Sequence, residues 1–457
     1  MQHSLSSSTN LMFIMPSEDS EVECNEENVV IDEITESEPT SVILRFCKKE
    51  FLRPFVCILG LVGLRPNAVD RDLATLLGHL QSITVLALLL AGYVLQYLSG
   101  FRRDRGFLDP EQQLTYGGGH QSSGPAAPPT NSTTQPTAAI TKTMLVNTGE
   151  MIFIYIIPAL LHLGGFVMAA YIYRFADNEQ LQCLIERVFI LCSKPRRLVA
   201  TLWVYFGLGT LWLAGSVVYI GMLVLQPTTT PTNPTTAKLP PLLDDVLGPD
   251  YTRGLLCVAL LFHDLVQMVV IVSYSLMCFL LRCYLRGLKA KLLLHTIEPL
   301  NWMREICEFR KLLHHLNTRI SLPVACLTLL NLSYTLSSVT HLVQDINACP
   351  IRVFSFTIAN VLLWMVISLT PFFQAASLTV TCRQTQSCGH LISIRPFVHR
   401  NTSSEELNTV LLYASSLQMS AQLFRVPINA HYLCFLVLVC VIALLTFGMC
   451  LSLALGG

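Results

Sequence analysis

The chain has 457 residues and a formal net charge of zero, and 52% of its residues are apolar while 13% are charged. An ordinary soluble domain is about 25% charged, so this composition excludes a soluble globular protein, and the balanced charge does not favour a nucleic-acid partner. A helix that crosses a bilayer needs about 20 apolar residues. Seven runs meet this requirement and predict an all-α membrane protein. The predicted spans, numbered one to seven, are 79–99, 149–173, 198–225, 254–281, 318–342, 353–380 and 430–455.

The region before span one divides into two parts. Residues 1–44 contain ten acids and no Lys or Arg, without the basic-then-apolar order of a signal peptide. We interpret them as a disordered cytosolic tail. Residues 45–78 mix basic and apolar residues, which favours an interfacial amphipathic segment; a short additional span is the alternative. The basic residues that decide this are Arg45, Lys48, Lys49 and Arg53.

The positive charges of the loops indicate an orientation. With a cytosolic N-terminus, 23 of the 30 Lys and Arg residues lie on the cytosolic side, counting Arg319 at the mouth of span five. This excess favours a cytosolic N-terminus, an extracellular C-terminus and a multi-pass protein of the plasma membrane. The cytosolic loops are then 174–197, 282–317 and 381–429. Three residues just after span one count against this orientation: Arg102, Arg103 and Arg105.

The loops at 106–148 and 226–250 have an extracellular composition. Both are rich in Thr, Pro, Ser and Gly, as in SSGPAAPPTNSTTQPT, which is typical of exposed and glycosylated segments. Asn131 begins an Asn-Ser-Thr sequon in the first loop and is the predicted glycosylation site. Asn401 also begins a sequon, but the orientation places it in the cytosol, where it stays unmodified.

The sequence predicts neither an enzyme nor a cofactor. It contains no HExxH, Walker A, GxSxG or GxGxxG motif, and so lacks the usual residues for metal, phosphate or nucleophile chemistry. One cluster has a metal-like composition, but its spacing fits no usual tetrahedral site, and we expect no metal there. This cluster is Cys382, Cys388, His390 and His399.

Polar and aromatic residues in the outer halves of spans two to six predict a pocket open to the outside. Asn331, Thr335 and Ser338 are spaced i, i+4 and i+7 and therefore share one helical face. Converging polar and aromatic groups at one depth are typical of a small-molecule site, although hydrogen bonding between packed helices is the alternative for each residue. The candidate ligand-binding residues are His162, Trp212, Tyr219, His263, Asp264, Gln267, Asn331, Tyr334, Thr335, Ser338, Asn360 and Trp364.

Asp264 is the strongest of these candidates. A carboxylate within the bilayer is costly unless it is paired or hydrated, so it is a functional candidate by default. The sequence leaves two other states open, in which Asp264 is protonated or is paired with a histidine such as His162.

The segments 282–317 and 381–429 predict cytosolic helical extensions. Apolar residues recur at helical spacing after span four, among eight basic residues from Arg282 to Arg319. The apolar face needs a partner, which we expect to be Glu405–Phe424; a helix lying on the membrane surface is the alternative.

Several stretches give the chain a resemblance to the insect gustatory and odorant receptor superfamily. They are FLRPFVCILGLVGLRP before span one, the extended cytosolic segments, and AQLFRVPINAHYLCFLVLVCVIALLTFGM leading into span seven. That family has Thr-Tyr, five hydrophobic residues and Gln-Phe in its last helix. The matching positions here begin with Thr446-Phe447 and end with Leu453-Ala454, so the chain resembles a divergent, gustatory receptor-like member.

The resemblance implies a ligand-gated cation channel of four subunits, either a homotetramer or a heteromer with related subunits. It implies that span seven lines the pore, that the cytosolic extensions form an anchor domain in the seven-helix domain 79–457, and that a small-molecule ligand binds among spans two to six. A ring of Leu453 would gate by dewetting, with plain lipid or helix contact as the alternative. The implied pore residues are Thr446, Phe447, Cys450, Leu453 and Ala454.

The sequence favours this channel over a G-protein-coupled or non-conducting receptor. The given sequence ends two residues after the predicted span seven and offers no cytosolic segment there. It also has no Asp-Arg-Tyr after span three and no Asn-Pro-x-x-Tyr in span seven. A helix that lines a pore and ends at the outer surface needs no such contacts.

Overall fold

The computed structural model describes residues 40–65, 72–103, 106–107, 152–176, 180–192, 194–225, 249–294, 296–344, 351–387 and 403–429. These residues are almost entirely helical. The α-helices among them are α1 (Thr40–Cys47), α2 (Arg53–Leu61), α3 (Asp72–Ser99), α4 (Ile157–Tyr171), α5 (Gln180–Leu191), α6 (Pro195–Leu225), α7 (Pro249–Leu293), α8 (Pro299–His315), α9 (Ser321–Gln344), α10 (Ile351–Gln386) and α11 (Ser404–Ser416).

Short π-helical segments and two small hairpins complete the described elements. The π-helical segments join or extend α-helices at Lys48–Leu52, Ile152–Ile156, Ile172–Ala176 and Leu316–Ile320. The antiparallel hairpins pair β1 (Phe101–Arg102) with β2 (Gly106–Phe107), and β3 (Gln422–Leu423) with β4 (Val426–Pro427).

Six helical stretches of the described chain are long and apolar enough to cross a membrane. They coincide with predicted spans one to six, so the chain is an all-α, multi-pass membrane protein. Predicted span seven, at 430–455, lies outside the described residues. The six stretches are Leu76–Ser99, Ile152–Phe175, Pro195–Val224, Tyr251–Leu293, Leu300–Thr340 and Thr357–Gln386.

Helix α7 is the centre of the bundle. In its most apolar stretch 67% of residues are buried, against 22% for the stretch that contains α4, and it packs against α3, α6 and α10. Gly209 allows α6 to approach it closely, because a Cβ at position 209 would lie 2.7 Å from Cγ2 of Val272 and 3.1 Å from Sδ of Met268. Small residues at such crossings bring apolar helices into van der Waals contact where no hydrophobic effect drives association.

The helices continue past the predicted ends of spans four and five. α7 runs to Leu293, and α8 joins α9 through the π-helical segment, because apolar residues keep their helical spacing among the basic ones. α11 packs against α8 and α10, with the Tyr413 ring 6.3 Å from the Trp302 ring. The segment proposed as a partner for this apolar face therefore lies against it.

The N-terminal segment from α1 to α2 docks on the bundle by one face. Phe51 and Phe55 are buried in the main core, and the Phe55 ring lies 5.7 Å from the ring of Phe206 in α6. Its basic residues, Arg45, Lys48, Lys49 and Arg53, are exposed. The apolar face is thus largely covered by protein, while the basic residues are exposed together with Val42 and Leu61.

Candidate functional site

Asp264 forms a buried ion pair with Arg103. Asp264 is completely buried and Arg103 is 3% exposed, and the guanidinium Nη2 donates to Oδ1 of the carboxylate. The hydroxyl of Ser216 in α6 donates to Oδ2 at 2.5 Å. The carboxylate therefore has an opposite charge and a neutral donor, and the structure pairs it with Arg103 rather than with His162, which was one of the alternatives left open by the sequence.

A tight reversal at the end of α3 brings Arg103 to this position. Gly100 has a φ of 62°, a conformation that glycine adopts without a steric penalty, and the following β1–β2 hairpin folds back onto the bundle. Phe101 is fully buried in a small apolar cluster with Leu95 and Ile220. This anchor fixes Arg103 beside α7, where Nη2 also donates to the carbonyl of Leu260 at 3.4 Å.

Arg103 is the functional candidate that sequence reasoning missed. It was counted as an exposed loop charge that opposed the orientation, whereas it is buried against an acidic residue of the bundle. Its charge therefore does not belong in a comparison of loop charges. The available signal was a basic cluster at the end of one span and a lone acid in another.

His162 and His263 form a second buried pair beside the ion pair. Their ring centroids are 4.9 Å apart, and Nε2 of each lies 3.1 Å from a backbone carbonyl, of His263 and Leu89 respectively. Nδ1 of His162 lies 2.5 Å from the Tyr93 hydroxyl. A carbonyl only accepts, so each Nε2 carries a proton and donates, which leaves Nδ1 of a neutral His162 to accept from Tyr93.

Gly92 leaves the space that this histidine arrangement requires. A Cβ at position 92 of α3 would lie 2.8 Å from Nε2 of His263 and 3.0 Å from Cβ of Ala259. The backbone of α3 can therefore approach α7 closely enough for the Leu89 carbonyl to accept from His263.

A cavity opens beside these groups. Its volume is about 20 Å³, which is enough for one ordered water. Of the predicted ligand-binding residues it includes His162, His263 and Tyr334. Three further polar or aromatic lining residues were not predicted as ligand contacts: Tyr93, Gln96 and Arg103.

An aromatic group links the ion pair to α10. The guanidinium carbon of Arg103 lies 5.4 Å from the centre of the Trp364 ring, within the range of a cation–π contact. Trp364 also packs against Trp212 and Tyr334, with ring centroids 6.2 Å and 5.0 Å away. The indole nitrogen of Trp212 donates to the Leu363 carbonyl at 2.9 Å.

The remaining predicted residues lie outside the cavity lining. The amide of Asn360 donates to Ser338 at 2.9 Å, and Thr335 lies 3.4 Å from Ser368, so these groups join α9 to α10 as the packing alternative describes. Tyr219 belongs to the apolar cluster around Phe101.

Gln267 and Asn331 are buried with both side-chain amide atoms lacking a hydrogen-bond partner. Such groups are usually satisfied by water or by a bound molecule. Gln267 is three residues from Asp264 and lies on the same side of α7. Its side-chain amide, which has no hydrogen-bond partner, is therefore close to the ion pair.

Several predicted residues fall outside the described part of the chain. They are the glycosylation site Asn131 and the pore residues Thr446, Phe447, Cys450, Leu453 and Ala454. A comparison of the chain with protein-family models finds no match, and a comparison with curated proteins finds none.

Proposed function

We propose that the protein is a chemosensory receptor that acts as a ligand-gated cation channel of four subunits. The observation that supports a receptor site best is the buried Arg103–Asp264 pair, which adjoins a cavity lined by histidine and tyrosine. A buried ion pair is a poor way to stabilise a bundle, because apolar residues of similar volume serve as well or better. Its presence beside a cavity therefore favours a role in binding.

In this proposal the ligand enters by displacing side chains. The cavity holds about one water as it stands, so a larger molecule must move Tyr93 and Tyr334, which lie on α3 and α9. Arg103 has a buried Nε without a partner and offers a donor to the ligand. Binding would thus be coupled to the packing of α3 and α9 against α7.

The channel part of the proposal rests on the resemblance of the sequence to insect gustatory receptors. It assigns the pore to span seven of four subunits, with Leu453 as an apolar gate and Cys450 one turn deeper. An apolar ring blocks ions because stripping their hydration is costly, and a polar substitution wets it. Homotetramers, or heteromers with related subunits, would reside in the plasma membrane.

The test of the channel uses the assembled protein. Native mass spectrometry of the purified protein should show four chains, each of 50.9 kDa. Leu453→Ser should raise the resting cation current of expressing cells above that of wild type, whereas Leu412→Ser, at an exposed position of α11, should not. A single subunit with no current from either protein would favour the G-protein-coupled or non-conducting receptor.

The proposed orientation has its own test. With a cytosolic N-terminus, Asn131 should carry glycan and Asn401 should not. Endoglycosidase should increase the mobility of wild-type protein from eukaryotic cells and leave Asn131→Gln unchanged. A shift that persists in Asn131→Gln and disappears in Asn401→Gln would invert the orientation.

A further inference from the structure

The end of the bundle opposite the cavity has a concentrated basic surface. We define this basic surface by seven exposed residues on two adjoining parts of the chain. The only exposed acid in the segment 40–65 is Glu50. The seven residues are Arg45, Lys48, Lys49 and Arg53 in the N-terminal segment, and Lys194, Arg196 and Arg197 at the start of α6.

The two groups of basic residues lie side by side. α1 packs against α5 and α6, and the Phe51 ring lies 6.5 Å from the ring of Trp203. Because Phe55 meets Phe206 one turn further along both helices, the part of the N-terminal segment before Phe51 runs beside the first turns of α6. By this register Arg45 lies level with Arg196 and Arg197, and Lys48 and Lys49 follow about one turn further along.

The position of the basic surface matches a membrane interface. The candidate span Pro195–Val224 has 30 residues and is about 45 Å long, against about 30 Å of hydrocarbon, so its basic first turn can extend into the headgroup level. Trp203 is 40% exposed two turns further on, at a depth where indole rings favour the interface. The basic groups therefore face the level of lipid headgroups.

The nearby acids leave the positive charge largely uncompensated. Glu186 of α5 is half-buried and accepts a hydrogen bond from Gln182 at 2.9 Å. Arg187 lies 3.9 Å from Glu305 and is not part of the basic surface. Within the described segment 40–65, the seven cations face one exposed acid, Glu50.

We propose that the basic surface binds the headgroups of anionic phospholipids, with a phosphoinositide as the best-fitting class. Clusters of Lys and Arg beside a transmembrane helix attract the anionic lipids of the cytoplasmic leaflet, and Arg forms bidentate contacts with phosphate. The two adjoining groups can contact several phosphates of one inositol ring. The site goes beyond the channel proposal and rests only on its orientation, in which this end of the bundle is cytosolic.

The test measures binding of dioctanoyl phosphatidylinositol bisphosphate to the purified full-length protein in neutral detergent by native mass spectrometry. Lys48→Gln, Lys49→Gln, Arg196→Gln and Arg197→Gln combined should weaken binding at least tenfold. A charge-matched control substitutes Gln at four basic positions beyond this surface and should bind within twofold of wild type. These positions are Arg286, Lys289, Arg304 and Arg319.

The outcomes separate a lipid site from general charge attraction. Replacing the four positions of the first variant by the other basic residue should retain binding, and dioctanoyl phosphatidylcholine should not bind. Equal losses in the Gln variant and its control, or wild-type binding in both, would overturn the proposal. Inositol hexakisphosphate binding as tightly as the lipid would also overturn it, because free phosphate and not lipid would then be the ligand. None of these results depends on ion conduction.

Discussion

The two ends of the helical bundle differ in where their charged residues lie. At the cavity end, Arg103 and Asp264 are buried and neutralise one another. At the other end, the large buried side chains are Trp302 and Phe309, and the basic residues face outward. The first end keeps polar groups inside the bundle, where they contribute little to stability. The second end has an apolar core and a charged surface. The difference supports the proposal that the cavity end is a binding site.

Breaking the ion pair from one side should have the largest effect. Asp264→Ala leaves the Arg103 guanidinium buried without its counter-charge, which typically costs about 3–5 kcal/mol. We expect a strong loss of folded protein in fluorescence-detected gel filtration and a lower melting temperature. Arg253→Ala, at an exposed position of the same helix, is the control and should remain near wild type.

A double substitution sharpens that result. Arg103→Leu with Asp264→Leu removes both charges, so the variant should recover most of the stability lost in either single variant. Recovered folding would show that each single variant is unstable because one buried charge is left without its partner. Single variants as stable as wild type would contradict a buried, mutually dependent pair.

Filling the space at Gly92 should have a smaller effect. Gly92→Ala places a Cβ 2.8 Å from Nε2 of His263, and overpacking of this kind costs about 1–3 kcal/mol. The matched control is Gly164→Ala in α4, where a Cβ meets nothing within 4 Å; helix propensity should make that variant as stable as wild type or more so. Thermal melts of the two proteins in one detergent compare them directly, and equal melting temperatures would disprove the close approach.

Removing one hydroxyl from the cavity lining should lower the free energy of unfolding by a smaller amount. Tyr93→Phe leaves Nδ1 of His162 without its donor at 2.5 Å, a loss of about 1 kcal/mol. Tyr97→Phe is the control, since Tyr97 is 51% exposed one turn further along α3 and should change the melting temperature little. An effect of equal size in both variants would show that the hydroxyl of Tyr93 has no special partner.

The smallest effect concerns a thiol at the opposite end. Burial, and then the nearby Glu186 carboxylate, raise the pKa of Cys47 to about 12. Because maleimide reacts with the thiolate, Cys47 should remain unlabelled between pH 7 and pH 9, while the exposed Cys183 should be labelled. Peptide mass spectrometry reads both sites in one sample, and equal labelling would contradict the docking of α1.

The first six spans could be located from the sequence, because a long apolar run in a membrane must form a helix that satisfies its own backbone hydrogen bonds. The prediction ended span four at residue 281 and expected a cytosolic helical extension after it, and α7 reaches Leu293 because apolar residues keep their helical spacing among the basic ones. The sequence also singled out Asp264 as a costly group. The sequence offered Arg103 only as one of three basic residues after span one, because the reversal at Gly100 and the buried Phe101 that bring it to Asp264 leave no periodic signal.

The length of α7 has a mechanical consequence. It has 45 residues with no interior proline, and at 1.5 Å per residue it is about 67 Å long, roughly twice the thickness of the hydrocarbon core. With Asp264 as the fulcrum, the arm towards Pro249 is about 22 Å and the arm towards Leu293 is about 43 Å. A tilt of about 5° would then displace the Leu293 end by about 4 Å. The same tilt would displace the Pro249 end by about 2 Å in the opposite direction, so the longer arm moves about twice as far.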